Sequence, residues 1–220
     1  MFQYVLFDLD GTLTDPKTGI TSCVQYALAD AGIEEPDLDK LEPFIGPPLT
    51  DSFREFYGFD DEQIKCAIDK YHERFDEKGI FENEIIEGIP ELLKALKDAG
   101  RRVSIASSKP RPLVIRILEH FEIAQYFDTV VGSEFDGRFA TKEAVVEEAL
   151  KQLVPSVYEK EDVAMVGDRK FDIQGARAHG LTGIGVSFGY AGEHELEDAG
   201  ADYIVDTVEE LQRLLLQGSL

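Results

Sequence analysis

The spacing of apolar residues changes along the chain and divides it into segments. Phe2–Leu9 is a short, nearly continuous apolar run rich in β-formers and is closed by Gly11, which predicts a buried strand. Between residues 18 and 80 the spacing is helical. Thr18–Ala31 is amphipathic and stops before Gly32, and Leu49, Phe53 and Phe56 recur at helical intervals. Asp60 or Asp61 is placed to cap a helix carrying Ile64, Ile68, Tyr71 and Phe75 on one stripe, with Gly79 as its expected end. No strand pattern interrupts this stretch. After Gly88, helices and strands alternate. Helices are predicted over Pro90–Ala99, Pro112–Phe121, Lys142–Leu153, Asp172–His179 and Val208–Leu216. Strands are predicted over Arg102–Ala106, Thr129–Gly132, Val163–Val166, Gly183–Val186 and, as an edge, Tyr203–Val205. Such interleaving implies right-handed crossovers and a parallel sheet covered on both faces. The expected fold is α/β: a doubly wound, parallel-sheet, Rossmann-like core from residues 1–15 plus 86–220, with an all-helical domain inserted over 16–85.

Sheets of this kind bind ligands beyond the carboxyl ends of their strands. The polar residues that follow each predicted strand are therefore informative. The first strand runs into Asp8-Leu9-Asp10-Gly11-Thr12, the second into Ser107-Ser108-Lys109, and the strand at Val163–Val166 into Gly167-Asp168-Arg169-Lys170-Phe171-Asp172. Lys142 opens a helix, where the macrodipole disfavours a cation unless an anion faces it. Asp8 and Asp10 alternate and are expected to point to one side. Clustered carboxylates imply a cation, and hard oxygen donors beside a phosphate suit Mg²⁺. A carboxylate can also act as a nucleophile, while a second one moves protons.

Composition narrows the class. Of 220 residues, 22 are basic and 44 acidic, a formal net charge of −22, and 43% are hydrophobic. The apolar content is that of a folded protein. The acid excess argues against nucleic-acid polymers and anionic membrane surfaces as partners. Residues 16–84 carry 17 acidic and 7 basic side chains, so the acidity is spread through the chain rather than held in a tail. Ser107–Arg111 and Gly137–Lys142 each contain two bases and no acid, which makes them local sites for an anion. No apolar run reaches a membrane span, the start of the chain does not read as a signal peptide, and Cys23 and Cys66 lack metal-type spacing. Two free thiols and a cytoplasmic location are the expectation.

With these motifs in order, the chain resembles the haloacid dehalogenase-like phosphatases. Asp8-Leu9-Asp10-Gly11-Thr12 matches the family's first motif, Ser107 the second, Lys142 the third, and Gly167-Asp168 through Asp172 the fourth. The resemblance implies that Asp8 is the nucleophile and Asp10 the general acid/base. It implies Mg²⁺ on Asp8, the backbone carbonyl of Asp10 and Asp168, supported by Asp172, and a phosphoryl group held by Ser107 and Lys142. Gly11, Ser108 and Lys109 are further candidates for phosphate binding. The inserted helices would form a cap, and the first strand would lie between the Ser107 and Asp168 strands. Asp15, Ile45-Gly46-Pro47-Pro48-Leu49, Ser108-Lys109-Pro110 and Tyr126-Phe127-Asp128 are similar to a phosphoglycolate phosphatase-like group, in a bacterial branch labelled 5′-nucleotidase-like. A small phosphate ester, either a nucleoside 5′-monophosphate or phosphoglycolate, is the implied substrate of a monomer or weak homodimer.

Other readings stand beside these. Ser107 and Asp172 also suit helix capping, which is compatible with ligand work. Arg138 is a substitute for Lys142 if the intervening loop is misaligned. The Phe53, Phe56, Tyr57 and Phe59 cluster suits a small core better than a base-stacking platform. A phosphosugar mutase of the β-phosphoglucomutase type and a non-enzymatic phospho-accepting domain are the rival functions.

Overall fold

A computed structural model of the chain describes residues 2–154 and 158–218. In chain order the elements are β1 (Tyr4–Phe7), β2 (Thr14–Asp15), α1 (Lys17–Asp30), α2 (Leu49–Tyr57), α3 (Asp61–Phe75), β3 (Glu84–Ile85), α4 (Ile89–Asp98), β4 (Arg102–Pro110), α5 (Arg111–His120), β5 (Thr129–Ser133), α6 (Lys142–Leu153), β6 (Val163–Gly167), α7 (Lys170–Ala178), β7 (Thr182–Val186), α8 (Glu195–Ala199), β8 (Tyr203–Val205) and α9 (Val208–Gln217). The chain forms two compact units, Met1–Thr14 with Ile85–Leu220, and Asp15–Glu84.

The larger unit is built on a sheet of order β5-β4-β1-β6-β7-β8. Its neighbouring strands run parallel. β1 is central: Tyr4 pairs with Arg102 on one side and Val163 on the other, and Phe7 with Ile105 and Val166. With both edges occupied by partners, β1 can be apolar throughout, and Val5, Leu6 and Phe7 are fully buried. Successive residues serve opposite faces. Leu6, Ala106, Val131 and Met165 pack with Val146 and Leu150 of α6 and with Ala176 of α7. The helix α4, which opens at Gly88 with Pro90 in its first turn, contacts α9. Ile173 of α7 packs against Leu196 and Ala199 of α8, a short helix that the sequence pattern did not single out.

The smaller unit contains α1 to α3 and two 3₁₀ segments, Leu38–Phe44 and Gly79–Phe81. Asp60 caps α3: its carboxylate accepts from the Glu62 and Gln63 amides at 3.1 and 2.9 Å, and the Gln63 side chain accepts from the Asp60 amide at 3.0 Å. Gly79 does not end this helix, which stops at Phe75. Gly79 is instead a packing residue. A Cβ there would lie 2.5 Å from Cys23 Sγ, and one on Gly19 would strike the Gly79 carbonyl. Only glycine allows α1 to approach the 3₁₀ turn this closely. The aromatic cluster is a core: Phe44 and Phe53 meet edge to face at 5.0 Å, and Phe53 stacks on Phe59 at 5.6 Å. Phe56 remains 44% exposed. Cys23 and Cys66 are free thiols. Among the described residues, no helix is long and apolar enough to cross a membrane.

Candidate active site

The strand order reverses at β1, where the chain turns to opposite halves of the sheet, and this is where a doubly wound sheet leaves a crevice. β1 ends at Phe7. The Asp8 amide still donates to the Val166 carbonyl at 2.9 Å, and then a tight turn begins. The Leu13 and Thr14 amides both return to the Leu9 carbonyl, and Gly11 adopts a φ of +76°. At Gly11 a side chain would be strained by the backbone and would also collide with the Asp168 carboxylate. The glycine therefore lets the turn after β1 lie directly against the residue after β6.

Asp8, Asp168 and Asp172 are buried, and each offers an oxygen within 4.8 Å of the others. Lys142 lies among them, 7% exposed, with Nζ 2.9 Å from Asp8 Oδ1 and 2.8 Å from Asp172 Oδ1, and it donates to the Ala106 carbonyl at 3.0 Å. This supplies the anion that a lysine at a helix start requires. Burial pulls the Lys142 ammonium toward neutrality, but the Asp172 and Asp8 charges outweigh it and raise its pKa. Thr141 caps α6 through the Ala144 amide at 3.3 Å and so sets where Lys142 begins. Arg138 takes no part: it pairs with Asp136 at 2.8 Å on the surface.

Asp168 is 1% exposed. Its Oδ2 accepts the Tyr190 amide at 2.8 Å, and its Oδ1 accepts the Thr12 hydroxyl at 3.4 Å. Burial, together with the charges of Asp172 and Asp8, pushes its pKa up to about 8. Burial also raises Asp172 to about 6, against the pull of Lys142. α7 begins at Lys170, two residues earlier than the pattern suggests, so Asp172 stands in the first turn rather than before it. There it still caps, accepting the Arg169 amide at 3.0 Å. Gly167 makes room for its side chain.

Lys142 pairs with Asp8 and Asp172 but not with Asp168, so the three carboxylates, when ionised, outnumber the one buried ammonium. Oxygen-only donors at this spacing, one of which holds a proton near neutral pH for want of a counter-charge, fit a hard divalent cation. Asp10 is separate from this group. The strand has ended before Asp8, so the alternation expected for Asp8 and Asp10 no longer governs their directions. Asp10 Oδ2 forms an ion pair with Lys109, while Asp10 Oδ1 is buried without a hydrogen bond.

Ser107 is 2% exposed, and its Oγ accepts the Lys109 amide at 3.3 Å. β4 continues to Pro110 instead of stopping at Ala106, with its register to β5 broken between Ser107 and Pro110. Such an irregularity re-aims side chains at the end of a strand. Gly132 permits it, because a Cβ there would sit 2.6 Å from the Lys109 carbonyl. The Ser108 carbonyl accepts the Ser133 hydroxyl at 2.8 Å. Thr12, at the end of the first motif, and the loop Ser187–Gly192, which lies outside the motifs read from the sequence, also border Asp168. The signal was available: that loop follows β7, and residues beyond strand ends were the ones to inspect.

The model of the haloacid dehalogenase-like hydrolases matches residues 5–186, and the chain belongs to that family of enzymes. Among its relatives, a 5′-nucleotidase of Pseudomonas aeruginosa is 45% identical over 196 residues, spanning 89% of this chain and 87% of that protein. Tyrosine-protein kinase PtkA of Mycobacterium tuberculosis is 38% identical over 216 residues, spanning 97% of this chain and 72% of the relative. The crystal structure of a predicted phosphatase from Clostridium acetobutylicum superposes with a TM-score of 0.92 at 46% identity and covers 99% of both chains.

Proposed function

We propose that this hydrolase is a Mg²⁺-dependent phosphomonoesterase that works through an aspartyl-phosphate on Asp8. The observation that carries the reading is the different surroundings of two carboxylates two residues apart. Asp8 lies with Lys142, Asp168 and Asp172, whereas Asp10 is paired with Lys109 outside that cluster. This difference supports a reading in which Asp8 attacks phosphorus and Asp10 moves protons.

In the first step an Asp8 oxygen bonds to phosphorus, the bond from phosphorus to the ester oxygen breaks, and Asp10 gives that oxygen its proton. In the second, Asp10 takes a proton from water, the water oxygen attacks phosphorus, and the bond to Asp8 breaks, releasing phosphate. Lys142 and Ser107 hold the phosphoryl oxygens throughout. Asp8, the Asp10 carbonyl, Asp168 and Asp172 would hold or support Mg²⁺, whose charge offsets that of the carboxylates and the phosphate.

A nucleoside 5′-monophosphate is the substrate best supported, through the likeness to the Pseudomonas aeruginosa 5′-nucleotidase. The test is phosphate release from nucleoside monophosphates, phosphoglycolate, sugar phosphates and pyrophosphate with Mg²⁺, using Asp8→Asn as the control. Hydrolysis led by a nucleoside monophosphate and abolished in Asp8→Asn is expected. An Asp8→Asn protein that keeps its activity overturns the mechanism, and preference for another ester overturns the substrate assignment.

A further inference from the structure

Glu195, the first residue of α8, lies outside every motif that the sequence analysis selected and outside the mechanism above. Its carboxylate is largely buried and crowded with donors. It accepts from Arg169 Nε at 2.9 Å and Nη2 at 3.4 Å, from the Lys170 amide at 2.8 Å, and from the Gly192 amide at 3.1 Å. Arg169 and Lys170 directly follow Asp168 in the chain. Gly192 lies two residues beyond Tyr190, whose amide donates to Asp168. Gly189, in the same loop, is so close to Asp168 that a Cβ there would overlap it. One carboxylate therefore ties together both segments that border Asp168: the start of α7 and the loop between β7 and α8.

We propose that Glu195 is a positioning residue for the metal site, holding the Tyr190 amide and the start of α7 so that Asp168 presents its oxygen toward Asp8 and Asp172. This rests on the reading of the acidic cluster as a cation site. Partners that orient a metal-binding carboxylate affect affinity without touching the ion. Glu195 suits the task because it stays charged. Burial opposes ionisation, but the Arg169 guanidinium and the two amides outweigh it and hold its carboxyl below the usual range.

The test is Mn²⁺ binding to the full-length protein, followed by electron paramagnetic resonance, with Mg²⁺ as competitor and with melting of the metal-free proteins measured alongside. Glu195→Ala should weaken Mn²⁺ binding by about 10- to 100-fold. Glu195→Gln keeps one acceptor oxygen, for the Lys170 or the Gly192 amide but not both, and should recover only part of that loss. Mn²⁺ bound by Glu195→Ala within about twofold of the parent overturns the proposal, as does a Glu195→Gln protein that binds Mn²⁺ as tightly as the parent. Should Glu195→Ala fail to fold, Glu195→Asp, one methylene shorter, carries the test. It should bind several-fold more weakly, and unchanged binding overturns the idea. Asp168→Asn separates the two levels of inference, because Mn²⁺ binding that survives this change sinks the metal reading itself, whatever Glu195 does.

Discussion

Replacing Asp168 by asparagine should make the metal-free protein more stable, although it removes a residue assigned to the site. The folded-state pKa of Asp168 is pushed up to about 8, whereas an unfolded aspartate titrates near 3.9. Between those values the folded chain holds a proton that the unfolded chain has released. Stability contributed by this group is thus full below pH ~4 and falls as pH rises toward ~8. At pH 7 the gap is about three units, which at 1.36 kcal/mol per unit corresponds to a loss on the order of 4 kcal/mol. Asparagine has nearly the same shape, can accept the Tyr190 amide, and carries no charge to desolvate. For a chain of this size, 4 kcal/mol corresponds to a melting shift of roughly 8–16 °C. The assay is thermal unfolding by circular dichroism in EDTA, comparing the two proteins at pH 5, 7 and 8.5. Other carboxylates titrate in both, so the difference reports Asp168 together with its coupling to Asp172 and Asp8. That difference should be small at pH 5 and grow with pH. Mg²⁺ should then stabilise the parent and leave Asp168→Asn nearly unmoved. An asparagine variant that melts at or below the parent at pH 8.5 in EDTA would refute the reasoning.

Three further outcomes are expected. Lys142→Met leaves Asp8 and Asp172 without their buried cation and should destabilise the protein by about 3–5 kcal/mol, read as a lower denaturation midpoint in urea. Asp10→Asn should slow hydrolysis of an alkyl phosphate by about 10²–10⁴. With p-nitrophenyl phosphate it should release one burst of nitrophenol and then stall, since a good leaving group needs little acid whereas water still needs a base; slow turnover without a burst would contradict the role given to Asp10. Gly79→Ala overpacks the contact with Cys23 and should cost about 1–3 kcal/mol in chemical denaturation, with little change in Mn²⁺ binding.

Much of this is legible in the sequence. Amphipathic spacing and end signals located α1, α3 and the helices after Gly88 other than the short α8, because a helix or strand announces itself through contacts within a few residues. Alternation of strands and helices implied a parallel sheet, and the strand-end rule drew attention to Asp8, Ser107 and Asp168. The boundaries that moved did so for tertiary reasons. β4 runs on to Pro110, which pairs with Ser133 of β5, and α3 stops at Phe75, short of Gly79, which packs against Gly19 and Cys23.

From residue order alone came the elements, the alternation that makes the sheet parallel, and the chemical types gathered at its strand ends. The folded chain alone decided the pairings: Lys142 with Asp8 and Asp172, Lys109 with Asp10, the Tyr190 amide with Asp168, and Glu195 across Arg169 and Gly192. Periodicity encodes which face of a segment is buried, a property of neighbours along the chain. Which charge meets which across 134 residues, as in Lys142 and Asp8, depends on the order of strands in the sheet and the close approach of turns at Gly11 and Gly189, and these exist only once the core has packed.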